Sequence, residues 1–163
     1  MSIFLQLRRV THRVTTLGLL AGFIACKPQT SDPVADPEPA EAISGTYQAT
    51  TFTQGSSPER YPVNGQTVTL QLKRVSATSV QVDVQATANG KYSPGQNLSY
   101  PDAAITSQKA SDGTITYVVT LDPSTECGYN TLYVYTQNRM DYNFIPPGSP
   151  RCSGAKIRLE KQQ

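Results

Sequence analysis

The chain has 163 residues, with 14 basic and 12 acidic side chains, one histidine, three cysteines and no tryptophan. That length leaves room for one domain with a real core, even after a leader is removed. The net charge of +2 comes with no basic stripe and no RNA- or DNA-binding motif, so nucleic acid is not an expected partner.

Residues 1–13 hold Arg8, Arg9, His12 and Arg13 and no acid, and Val14 to Ala25, VTTLGLLAGFIA, is an uncharged run. A basic start, a short apolar core and a small exit residue describe a secretory signal. The run is too short for a finished transmembrane helix, which needs about 20 apolar residues. Cys26 follows at once. The stretch FIAC, Phe23 to Cys26, resembles the lipobox of bacterial lipoproteins. Ile24 and Ala25 match that pattern, while Phe23 stands where Leu is usual. The resemblance implies cleavage before Cys26, lipidation of its thiol, and the membrane as a partner through that anchor. In the family an Asp after the cysteine favours inner-membrane retention. Lys27 stands there here, so the expected address is the bacterial envelope at the outer membrane, with the leaflet open. An ordinary signal with a cysteine near its cleavage site by chance is the alternative.

Removing Arg8, Arg9 and Arg13 leaves eleven basic residues against twelve acidic ones, and His12 leaves with them. A processed chain then holds no histidine. Ser-His-Asp and Cys-His catalysis, histidine metal sites and histidine pH switching drop out on chemical grounds. No metal and no cofactor are expected.

Residues 26–42 read as the lipid-bearing cysteine and a tether. Pro28, Pro33, Pro37 and Pro39 stiffen this segment, four acids solvate it, and it has almost nothing to bury. The domain is expected over residues 43–163, as a run of strands. TVTLQLK puts Val68, Leu70 and Leu72 on one face, and SVQVDVQA does the same with Val80, Val82, Val84 and Ala86. TITYVVTL aligns Ile115, Tyr117, Val119 and Leu121, and AKIRLE aligns Ile157 and Leu159. This period of two is the mark of half-buried strands. Turn residues separate the runs at Asn64-Gly65, 76–79, 88–91 and 111–114. The strands are expected near 45–54, 66–75, 79–87, 103–109, 114–121, 130–137, 140–145 and 155–161, with 91–102 as a long loop carrying at most a short edge strand.

The expected fold is therefore all-β, an antiparallel meander of seven to eight strands closed as a barrel or split into a sandwich. The opening ISGTYQATTF resembles the first strand of small lipocalin-like domains in bacterial lipoproteins, through Gly45, Thr46 and Tyr47. Tyr replaces the Trp common in that motif. The resemblance favours a lipocalin-like barrel over an immunoglobulin-like sandwich.

One aromatic concentration stands out, TLYVYTQNRMDYNFIPP, Thr131 to Pro147. With Asn138 and Arg139 as a two-residue turn, Tyr135 would oppose Tyr142 and Tyr133 would oppose Phe144. A longer loop stays open, since Arg is a poor second residue for such a turn. The four rings would gather on one face, either as core or as a ligand surface with phenol hydroxyls to orient a polar group. Cys127 and Cys152, an even pair in an oxidising compartment, are expected to form a disulfide contributing about 3 kcal/mol by loop closure. It would staple the loop holding Pro146, Pro147 and Pro150. Asp122, Glu126 and Asp141 could approach one another near the disulfide, as paired acids do in glycoside hydrolysis, or serve equally as turn residues, as Asp122-Pro123 suggests.

Three functions remain, in this order. The first is a non-catalytic, membrane-anchored barrel binding a small apolar or amphipathic ligand, with Tyr133, Tyr135, Tyr142 and Phe144 as ligand residues. It requires an internal cavity. The second is an envelope module contacting protein or glycan, which requires a filled interior and a flat exposed apolar patch. The third is a histidine-free carboxylate hydrolase, which requires two carboxyls in one cleft. The oligomeric state is open.

Overall fold

The computed structural model describes residues 36–123, 127, 129–150 and 152–163. The leader, Cys26 and the first part of the expected tether lie outside the described residues. The element order is α1 (Pro39–Ile43), β1 (Gly45–Gln54), β2 (Ser57–Arg60), β3 (Val68–Ser76), β4 (Ser79–Ala86), β5 (Leu98–Lys109), β6 (Ile115–Thr120), β7 (Thr131–Tyr135), β8 (Arg139–Phe144) and β9 (Ala155–Lys161).

All pairings are antiparallel, and neighbours in space follow chain order from β3 to β9. The long first strand closes the ring. Tyr47 to Thr53 pair with β9 along one edge, while on the other edge Gly45–Gln48 pair with β3 and Thr51–Gln54 pair with β2. Eight strands thus form a closed barrel, and β2 extends one edge of β1 beyond the reach of β3. A barrel, not a sandwich, is the outcome, with nine strands where seven to eight were expected. β2 is the added one. Its sequence SPER has no apolar alternation and contains Pro58, which a short edge strand tolerates.

The interior follows the period of two. Val68, Leu70 and Leu72 of β3, Val80, Val82 and Val84 of β4, Leu132 and Val134 of β7, and Ile157 and Leu159 of β9 all point inward and are buried. An eight-stranded barrel is just wide enough for side chains to fill it. Here Tyr47, Phe52, Tyr142 and Phe144 are among the largest fully buried groups that do so. The outer wall is polar. On β3 and β4, Lys73 and Gln81 surround Asp83, which accepts hydrogen bonds from Lys73 Nζ at 3.1 Å, Gln81 Nε2 at 3.0 Å and Ser99 Oγ at 2.7 Å. These bonds, that from Gln81 first, hold its carboxyl down to about 2. Apolar-in, polar-out is the reverse of a barrel that faces lipid. Among the described residues no helix is long and apolar enough to cross a membrane.

Three bulges bend the wall. Thr50 is the extra residue of β1 opposite β9, and Val75 that of β3 opposite β4. On β5 the pair Pro101-Asp102 stands opposite Gln81. A bulge leaves its extra residue unpaired, which suits Pro101, with no N–H to offer. It also resets the alternation, so Leu98 and Tyr100 turn inward below the bulge and Ala103 and Ile105 above it. The segment expected as a loop over 91–102 therefore contributes the first five residues of β5.

The expected tether ends earlier than Ala42. Pro39–Ile43 form a single helical turn with Pro39 in its first positions, where proline's missing N–H costs nothing. Ala40 and Ile43 are 0 and 1 % exposed. The Ala40 N–H donates to Ala77 O at 3.3 Å, and the Tyr47 hydroxyl donates to Ile43 O at 2.8 Å. Glu38 pairs with Arg74 at 2.5 Å and Asp36 with Lys109 at 3.4 Å. The turn caps one end of the barrel. The apolar pair Ala40/Ile43, three apart, is the only sequence mark of this, and it is hidden among proline and acid.

Candidate functional site

The four expected ligand residues part company. The β7–β8 connection is a three-residue loop, 136–138, with Asn138 at φ +59°. This matches the hairpin in which a turn is followed by one left-handed residue. The observed register pairs Tyr135 with Arg139, Tyr133 with Asp141 and Leu132 with Tyr142. It differs by three residues from the two-residue alternative, and an odd shift exchanges the faces of a strand. Tyr142 and Phe144 consequently point into the barrel and are fully buried, while Tyr133 and Tyr135 stand on the outer wall, half-buried.

On that wall Asp141 is 7 % exposed. Its Oδ1 accepts from Arg158 Nε at 3.1 Å, Lys156 Nζ lies 3.9 Å from Oδ2, and the Tyr135 hydroxyl reaches Oδ2 at 3.5 Å. The hydrogen bond and charge of Asp141 raise the pKa of Arg158. Burial, and then the charge of Asp141, raise that of Tyr135. Asp141 is thus engaged in holding β8 to β9. Of its two expected partners in hydrolysis, Glu126 lies outside the described residues, and Asp122 sits at the start of the β6–β7 connection. Among the described residues no three His, Cys, Asp or Glu side chains gather as a metal site needs.

The two ends of the barrel differ. At one end lie the long connections 61–67, 87–97, 121–130 and 145–154. Cys127 and Cys152 form the expected disulfide there, with Cα atoms 5.8 Å apart, joining the last two of these loops. Inside this end the rings make a chain. Tyr142 and Phe144 have centroids 5.4 Å apart, Phe144 and Phe52 6.5 Å, and Phe52 and Tyr92 5.0 Å in an edge-to-face contact. Tyr92 comes from the 87–97 connection, and its carbonyl accepts a hydrogen bond from the Tyr61 hydroxyl. The strap fills this mouth. The Tyr142 hydroxyl is buried beside the Tyr100 phenol. Burial first, then the nearby Tyr100 phenol, push its pKa well above the ordinary phenol value.

At the α1 end the turns are short and space remains. An open cleft of about 320 Å³ is lined by Pro37, Ile43, Tyr47, Tyr117, Val134 and Tyr135, with the 136–138 turn at its rim. Its floor is apolar, from Ile43 and Val134. Burial pushes the Tyr47 phenol up to about 12, so it stays neutral at ordinary pH and stays bonded to the Ile43 carbonyl. Of the four expected ligand residues, only Tyr135 belongs to this cleft. Tyr47 and Tyr117 are the residues that sequence reasoning placed in strands without assigning to a site. Nothing local joins them, because the cleft is assembled from residues 37–47, 117 and 134–138.

No family model matches the chain, and no curated protein matches it. Two solved structures resemble it in part. One is a de novo designed fluorescence-activating β-barrel, 13 % identical, with a TM-score of 0.37, covering 78 % of this chain and all of that one. The other is a protein of Bacteroides fragilis described as a "putative outer membrane protein", 15 % identical, with a TM-score of 0.39. That match covers 77 % of this chain and 53 % of the other.

Proposed function

We propose that this protein is a non-catalytic, lipid-anchored envelope barrel that binds a small apolar or amphipathic molecule. The ligand sits in the cleft beside α1, not in the barrel centre. One observation carries the reading. The centre is filled by side chains, yet Tyr47 and Tyr117 meet Ile43 and Val134 around an unfilled space at the capped end, with Tyr135 at its outer rim. Its volume of about 320 Å³ lies at the small end of the range for ligand pockets, roughly 300–1,000 Å³. Phenols over an apolar floor suit a molecule with a polar group at one end. Attachment through Cys26 and outer-membrane sorting belong to the same proposal and rest on the FIAC motif and the residue after it.

The module reading calls for a flat exposed apolar patch. Val75, at a bulge, is the sole exposed large hydrophobic residue among those described, which favours the ligand reading.

The test is native mass spectrometry of the full chain after mild recovery from membranes, beside the variant Thr136→Trp. Thr136 is exposed on the turn at the cleft rim, so a large ring there fills the space without entering the core. A small molecule retained by the native chain and lost from the variant is the expected result. A bare native mass with the disulfide intact overturns the ligand reading in favour of a protein or glycan contact.

A further inference from the structure

We propose that the α1-end cleft holds one part of an unbranched acyl chain whose remainder lies in a second cleft, the chain passing beneath residues 36–39, which act as a movable cover; this rests on the cleft reading above. The second cleft, of about 220 Å³, is lined by Ser107, Lys109, Ile115 and Tyr117 of β5 and β6 and bordered by Pro37 and Pro39. Pro37 and Tyr117 line both clefts. The boundary between the two spaces therefore runs past one proline of the covering segment and one ring of the wall.

Strand register makes the floor continuous. Ser107 pairs with Tyr117, and Tyr117 pairs with Val134, so three neighbouring strands carry the floor from one cleft to the other. Lys109 pairs with Ile115 one step nearer the rim. Side chains two apart on a strand share a face. Ser107 and Lys109 thus continue the inward row of Ala103 and Ile105, and Ile115 and Tyr117 that of Val119, at the level where the rows reach the mouth. A floor that crosses three strands beneath a single proline fits a thin ligand. A methylene chain is one carbon wide, whereas fused rings or a branched body would be stopped at Pro37.

The covering segment is built to lift. Pro37 and Pro39 have no N–H, so neither can donate to the wall as a strand residue would. Two side-chain ion pairs tie the segment down, Asp36 to Lys109 and Glu38 to Arg74. The side chains of Asp36 and Lys109 are 68 and 60 % exposed, and ion pairs open to water contribute little and weaken with salt. The helical turn that follows is held more firmly, by burial of Ala40 and Ile43 and by the bond from the Ala40 N–H to Ala77 O. It serves as the hinge.

The experiment uses the full chain with Cys26→Ser, which has no thiol there to lipidate. It is titrated by calorimetry with octyl, decyl, dodecyl and tetradecyl maltoside, each below its micelle-forming concentration. Affinity should rise about fourfold with each added methylene, the factor for about 0.8 kcal/mol of burial, and keep rising beyond the decyl tail. Ser107→Trp fills the second cleft from an exposed position. It should leave octyl maltoside unchanged and weaken dodecyl maltoside at least about tenfold, the loss of two or more buried methylenes. Asp36→Asn combined with Glu38→Gln should speed association of dodecyl maltoside, followed by stopped-flow tyrosine fluorescence, and abolish its dependence on salt. Thermal unfolding of each variant checks that the barrel is intact. An affinity that stops rising at the decyl tail, or a Ser107→Trp variant that binds every tail as before, overturns the inference and leaves the cleft reading standing. Association indifferent to salt and to both carboxylates overturns it as well, because a chain beneath Pro37 requires the cover to lift. No binding by any of the four overturns both.

Discussion

The two mouths of this barrel solve the same problem in opposite ways. At the α1 end, neighbouring strands are joined through 77–78, 110–114 and 136–138, and a single helical turn supplies the cover. At the other end the connections are long, and closure comes from an inserted ring, Tyr92 on Phe52, with a disulfide binding two loops together. Inside the barrel, the elaborate end is filled by rings. The simple end keeps room, because one turn of helix covers less than a folded strap. Loop length is often taken as a guide to where function lies; in this barrel the apolar cleft and the tyrosines that line it sit with the short turns.

Large truncations should separate the two ends most clearly. Phe144→Ala removes a fully buried ring at the strap end and should cost about 3–5 kcal/mol, read by chemical denaturation, with ligand retention in native mass spectrometry unchanged at temperatures where the barrel is folded. Ile43→Ala at the α1 end should cost about 2–5 kcal/mol and weaken ligand binding as well, since it strips the floor of the cleft. A Phe144 variant that also lost binding would show that the ends are coupled.

Replacing both Cys127 and Cys152 by Ala should cost about 3 kcal/mol in the loop-closure account, and again leave the distant cleft untouched. Alkaline titration comes next and reports on the capped end. The folded pKa of Tyr47 is raised to about 12 from the ordinary phenol value near 10, so its contribution is complete below pH 10. It is lost as pH rises toward 12, when the unfolded chain gives up the proton more readily. Tyrosinate absorbance and circular dichroism followed together should show ionisation of this phenol coinciding with unfolding. The smallest effect belongs to Tyr142→Phe. Its hydroxyl is buried beside the Tyr100 phenol, so its removal should cost no more than about 1.5 kcal/mol, the worth of one ordinary hydrogen bond.

Most of the wall could be read from sequence because strands announce their own faces. Val68, Leu70 and Leu72 or Val80, Val82 and Val84 have no helical alternative, and they sit where the period of two puts them. Reading failed where a single backbone angle decides the outcome. Asn138 in the left-handed region lengthens one turn by a residue, which shifts the register and sends Tyr133 and Tyr135 outward. It failed again at β2 and α1, which are too short for a pattern to accumulate. Pro58 and Pro39 signalled interruption in segments where each is tolerated. The cleft was illegible for a different reason. Tyr47, Tyr117 and Tyr135 lie on β1, β6 and β7, and only closure of the ring through β1 and β9 brings them to one mouth. Lys161 and Gly45 likewise meet only because the final strand lies beside the first.

That last pairing has a topological consequence. The Gln162 N–H donates to the Thr46 carbonyl at 2.8 Å, so the chain leaves the wall beside the point where it enters. A ring of strands joined in this way has no privileged starting strand. Linking the C-terminal residue to Glu38 through a few glycines, and cutting the exposed turn at Ser111-Asp112, would give a circular permutant in which every strand keeps both neighbours. The order of synthesis would change, and the finished wall would not.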